Sequence, residues 1–83
     1  MIGAPTILIL GGYGETGRRI ARLLLAHTNA NVVVAGRRMS RASAACDELN
    51  REFVGLRARP RYGDAKDAYT LTAGLAGVDL VIV

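Results

Sequence analysis

Residues 6–21 read Thr6-Ile7-Leu8-Ile9-Leu10-Gly11-Gly12-Tyr13-Gly14-Glu15-Thr16-Gly17-Arg18-Arg19-Ile20-Ala21. The opening five are an apolar run without alternation, the pattern of a strand buried on both faces, as in a parallel sheet. Gly12-Tyr13-Gly14-Glu15-Thr16-Gly17 then matches G-x-G-x-x-G, and Gly11 adds a G-x-x-G-x-x-G reading. From Glu15 to His27, Ile20, Ala21, Leu24 and Leu25 recur at helical spacing with Arg18, Arg19 and Arg22 between them, which predicts an amphipathic helix. A glycine pattern of this kind is weak alone. It gains meaning because it leaves a buried strand and opens a helix.

Downstream, Thr28-Asn29-Ala30-Asn31 reads as an exit turn, and Val32-Val33-Val34 marks a second buried strand over Asn31–Ala35. Ser40 is placed to cap a second helix with a buried stripe of Ala42, Ala45, Cys46, Leu49 and Phe53. Leu56 to Tyr62 alternates, with Leu56, Ala58, Pro60 and Tyr62 on one face and Arg57, Arg59 and Arg61 on the other. Period two predicts a third strand, and Pro60, which donates no ladder hydrogen bond, assigns it to a sheet edge. Asp67 caps a short third helix carrying Ala68, Leu71 and Leu75, which Gly77 ends, and Val78–Val83 is a fourth strand, apolar except for Asp79.

The order β-α-β-α-β-α-β, with crossovers long enough for parallel pairing, is that of an α/β doubly wound sheet of Rossmann type with spatial order 3-2-1-4. That order leaves the third strand outermost, where Pro60 is tolerated. Each glycine of the loop then has a task. Gly12 permits the tight strand-to-helix turn, Gly14 lets the backbone approach a diphosphate, and Gly17 lets the helix pack closely on the sheet. The helix N-terminus offers unpaired N–H groups to phosphates. Thr16 adds a hydroxyl, Tyr13 packs on the ligand or covers the turn, and Glu15 is expected to point outward.

The end of the second strand bears on which dinucleotide is held. NAD-specific domains carry an acid there, about twenty positions past the loop, to accept from the ribose 2′-OH. This chain has Val34-Ala35-Gly36-Arg37-Arg38 and no acid before Asp47. An acid repels a 2′-phosphate and a guanidinium binds it bidentately, so Arg37 and Arg38, assisted by Ser40 or Arg41, favour NADP over NAD. Asp64, after the third strand, is positioned to meet the adenine edge or simply to serve the loop.

Composition narrows the classes. The 83 residues carry a net charge of +4, with all but one of the eleven basic residues arginine. No apolar run approaches the ~20 residues of a membrane span, and no secretory signal is read, so a cytoplasmic protein without membrane contact is expected. Lone Cys46 excludes a disulfide framework and a cysteine-built metal site. His27, at a helix C-terminus, and Cys46, on an apolar stripe, are read as structural. Tyr62 and Tyr69 are read as packing residues. The Arg57, Arg59 and Arg61 stripe lacks interleaved aromatics, so it is read as edge protection rather than a nucleic-acid surface. No catalytic residue is assigned.

With these residues placed, the chain resembles the NADP-binding domain of the saccharopine dehydrogenase-like family. The resemblance runs through residues 7–21, Val33-Val34-Ala35-Gly36-Arg37, Gly63-Asp64-Ala65 and Gly77-Val78-Asp79-Leu80-Val81-Ile82. It implies an NADP-dependent oxidoreductase with a second, substrate-binding domain that has no counterpart here. Residues 1–83 are then expected to be the front part of a dinucleotide-binding domain, inactive alone. Two other readings stay open. One is a non-catalytic NAD(P)-sensing regulator similar to NmrA-like proteins. The other is an assembly module with a vestigial site, self-associating through the uncovered edge of the fourth strand.

Overall fold

The computed structural model describes residues 4–11, 13–64 and 77–82. In chain order the elements are β1 (Thr6–Leu10), α1 (Glu15–His27), β2 (Asn31–Gly36), α2 (Met39–Glu52), β3 (Ala58–Tyr62) and β4 (Leu80–Ile82). The strands form one sheet in the order β3-β2-β1-β4. Every pairing is parallel, with Leu8 opposite Val33 and Val81, and Val34 opposite Pro60. The expected 3-2-1-4 order is thus observed, with Pro60 on an edge strand.

The two faces of the sheet separate by the period of two expected of strands. Ile7, Ile9, Val32 and Val34 pack with Ala21 and Leu25 of α1 and with Ala42, Cys46 and Leu49 of α2. Leu8, Val33 and Ala35 point to the other face, with Leu10 and Val78 against them. Phe53 is half-buried at the C-cap of α2. The polar sides of α1 and α2 are joined by ion pairs: Glu48 accepts from Arg18 and, at 3.0 Å, from Arg22, which also reaches Glu52 at 3.0 Å.

Several expectations need correction. Ser40 does not cap α2; the N-cap is Arg38, in extended backbone, and no side chain caps there. The turn is closed by the Arg38 carbonyl, which accepts from Arg41 and Ala42. β2 runs one residue further, through Gly36. β3 begins at Ala58, because Gly55 (φ 105°) and Leu56 (φ 50°) take left-handed backbone that breaks the extended run. Leu56 is therefore solvent-facing at 77% exposure. Arg57 leaves the supposed stripe: its guanidinium donates to the carbonyls of Leu25, Thr28 and Ala30. Tyr62 is exposed rather than packed. Among the described residues β4 covers Leu80–Ile82, so Val78 and Asp79 precede it, and Val83 lies outside the described residues. The expected third helix and Tyr69 lie outside the described residues; Gly77, its expected terminator, has φ 78°. Among the described residues no helix is long and apolar enough to cross a membrane, and no cluster of three metal-ligating side chains occurs.

Candidate dinucleotide site

All strands run the same way, so the carboxyl ends of β1, β2 and β3 share one edge of the sheet. Gly11, Gly36-Arg37 and Gly63-Asp64, far apart in sequence, meet there around a cavity of about 210 Å³, which Leu10 and Tyr13 also line. Ligands of open α/β sheets bind at this kind of edge. Gly11 N donates to Ala35 O at 2.7 Å and Gly63 N to Gly36 O at 3.0 Å, so the three strand ends are stitched by backbone bonds.

The loop between β1 and α1 takes its shape from its glycines. Gly11 has φ 75°, a conformation that side chains strain to adopt. Its carbonyl accepts from Gly14 N at 3.0 Å, which closes the turn, and a Cβ on Gly14 would stand 3.4 Å from that oxygen. Gly14 is the N-cap of α1. A glycine cap has no side chain to satisfy the first helical N–H groups, and no side chain caps those of Glu15, Thr16 and Gly17 among the described residues. The next amide, Arg18 N, already bonds Gly14 O. Glu15 is exposed, as expected, and pairs with Arg19 at 3.6 Å. Gly12 lies outside the described residues.

Tyr13 and Gly36 are in contact, which neither residue type announced. A Cβ built on Gly36 would stand 2.2 Å from Cε1 and 2.7 Å from the hydroxyl oxygen of Tyr13. The signal available in the sequence was an aromatic residue inside a glycine loop together with a glycine at the end of a Val-rich strand. Arg37 and Arg38 are exposed beyond that strand end, and Asp64 is half-buried on the cavity wall. A second cavity, of about 260 Å³, lies between α1 and α2, bounded by Tyr13, Arg18, Arg41 and Glu48. Of these, only Arg41 was singled out by sequence as a phosphate ligand.

His27 is exposed at the end of α1, remote from the cavity residues in the fold. Tyr62 and Lys66 have the Tyr-x-x-x-Lys spacing used by short-chain dehydrogenases. However, Tyr62 closes a strand, not the helix on which residues four apart stand side by side. Lys66 is outside the described residues, so no such pair is assigned.

Comparison with known structures agrees with the fold. The chain is similar to an oxidoreductase of the short-chain dehydrogenase/reductase family from Burkholderia thailandensis (TM-score 0.78, 29% identity, 96% of this chain and 30% of that one). It is also similar to a short-chain oxidoreductase with an atypical catalytic center from Pseudomonas aeruginosa PAO1 (TM-score 0.78, 28% identity, 87% and 27%). Menthone neomenthol reductase from Mentha piperita shares the fold at 19% identity (TM-score 0.81, 96% and 31%). This chain spans less than a third of each of these proteins. Residues 7–83 match the family described as the saccharopine dehydrogenase NADP binding domain. With its parallel 3-2-1-4 sheet and the glycine loop between β1 and α1, the chain belongs to that family of nicotinamide-dinucleotide-binding domains.

Proposed function

We propose that this chain is the cofactor-binding part of a cytoplasmic, NADP-dependent oxidoreductase similar to saccharopine dehydrogenase. In this reading the loop Gly11-Gly12-Tyr13-Gly14-Glu15-Thr16-Gly17 holds the diphosphate on the first N–H groups of α1. Gly36, Arg37 and Arg38 receive the 2′-phosphorylated ribose, and Asp64 borders the adenine. The observation that carries the reading is the convergence of the turn leading into α1, at Gly11 and Tyr13, with the Gly36-Arg37 and Gly63-Asp64 strand ends around one cavity. Bound nicotinamide supplies hydride-transfer chemistry; these residues bind and orient.

Isothermal titration with NADP and NAD tests the proposal. NADP is expected to bind more tightly. Arg37→Asp should weaken NADP by about 10–100-fold, the worth of a hydrogen bond between charged groups, and leave NAD little changed. Failure to bind either dinucleotide overturns the cofactor reading. Equal affinity for both overturns the 2′-phosphate reading alone.

A second reading, assembly through β4, has one observation in its favour. Leu80 is 54% and Val81 38% exposed on an edge strand.

A further inference from the structure

The ring of Tyr13 is a wall common to both cavities beside β2. Gly36 makes this possible. Its φ is not in the positive range, so the backbone there does not require glycine. The phenolic edge of Tyr13 does, because it fills the space that any Cβ at position 36 would take. Any other residue at the end of β2, including the acid that would favour an unphosphorylated ribose, would therefore displace the ring from this seat.

The second cavity carries an uneven charge. Arg18 is committed to Glu48, which also takes Arg22. Arg41 has no ion pair or hydrogen bond from its guanidinium among the described residues, and the Tyr13 hydroxyl has no partner among them either. Among the described residues, Arg41 with an unpaired guanidinium and Tyr13 with an unpaired O–H thus border one cavity, on the other side of the ring from Gly36 and Arg37.

We propose that Tyr13 is a specificity-determining residue of the dinucleotide site. Seated on Gly36, it directs the ribose 2′-phosphate into the cavity between α1 and α2, where its hydroxyl donates to the phosphate and Arg41 pairs with it. The inference rests on the dinucleotide reading above and adds to Arg37 a second, shape-based source of preference.

Titration of the full chain with NADP, NAD and 2′,5′-ADP tests it. Tyr13→Phe keeps the ring on Gly36 and removes only the hydroxyl. It should weaken NADP and 2′,5′-ADP by about tenfold, as loss of one hydrogen bond to a charged group does, while NAD is unchanged. Arg41→Gln should act in the same direction on the same two ligands. Gly36→Ala displaces the ring and should also lower NADP affinity, but the same substitution made on Tyr13→Ala should cost little, since the clash is gone. A Tyr13→Phe variant whose NADP-to-NAD ratio stays within about twofold, inside the usual error of additivity, overturns the inference. So does a Gly36→Ala loss that is equal in both backgrounds. In either case a wild-type preference for NADP leaves the dinucleotide reading standing. Wild-type chain that binds none of the three ligands removes both.

Discussion

Cys46 shows how much of a residue's chemistry its neighbours set. Its side chain lies in the seam between α2 and the sheet, 2% exposed. Burial pushes the thiol up to about 11, against the opposing pull of a backbone hydrogen bond with Val34, and the charge of Asp47 raises it further. The thiolate is the reactive form, so at neutral pH Cys46 is inert, as its place on an apolar stripe predicts. Because the folded value lies above the unfolded one near 9.0, the native chain keeps a proton that the unfolded chain releases. The resulting stabilisation is whole below pH 9.0 and disappears as pH rises to about 11. Urea unfolding of wild type and Cys46→Ala should therefore give stability curves that converge between those pH values. Parallel curves would contradict the assignment. Tyr13 and Gly36 teach the opposite lesson. Both were legible as parts of a binding pattern, yet their contact joins residues 23 positions apart and exists only once β1 and β2 lie side by side.

Between elements, the junctions carry most of what the pattern of apolar residues did not convey. The span of α1 follows directly from its apolar spacing, and its boundaries match the reading residue for residue. Its end is held by a side chain from elsewhere: Arg57 Nη1 donates to Leu25 O at 2.9 Å and its Nε and Nη2 both reach Ala30 O. That one guanidinium joins the last turn of α1, the start of β2 and the approach to β3. Arg57→Ala strips part-buried carbonyls of their donor and should lower stability by about 2 kcal/mol in chemical denaturation. Arg57→Lys should recover only part, since an ammonium cannot reproduce the planar fork. Asp79 does a similar task for β4. It accepts from Thr6 N and donates its own N–H to Thr6 O, both at 2.8 Å, which explains the one polar residue in an apolar segment. At the start of β3, the Asn50 amide bonds both the N–H and the C=O of Ala58.

For the molecule as a whole, the parallel sheet puts both edges at risk, and they are treated differently. β3 carries Arg59, Pro60 and Arg61, which deter pairing with another chain. β4 is short and apolar, with Leu80 and Val81 exposed. The 83-residue chain by itself is expected to self-associate through that edge, and Val81→Lys should shift it toward monomer in light scattering over a dilution series. Monomeric wild-type chain at high concentration would refute this. Ligand should act on the whole fold as well: NADP at about a hundred times its Kd should stabilise the native state by about 2.7 kcal/mol, visible as a rise in Tm that NAD at equal concentration does not match.

The sequence by itself determined the alternation of strands and helices from β1 to β3 and the glycine loop, and, with the rules of parallel crossovers, the strand order. The elements are written in patterns that a short segment carries within itself: unbroken apolar runs for β1 and β2, alternation for β3, a spacing of 3.6 for the helices, and glycine where backbone must turn tightly. The contacts that shape the candidate site were decided by tertiary structure. The seat of Tyr13 on Gly36, the second cavity and the turning of Arg57 onto the end of α1 all depend on which side chain happens to face which backbone once the sheet closes. No periodicity encodes such a meeting, because its partners lie on different elements and each is compatible with many other neighbours.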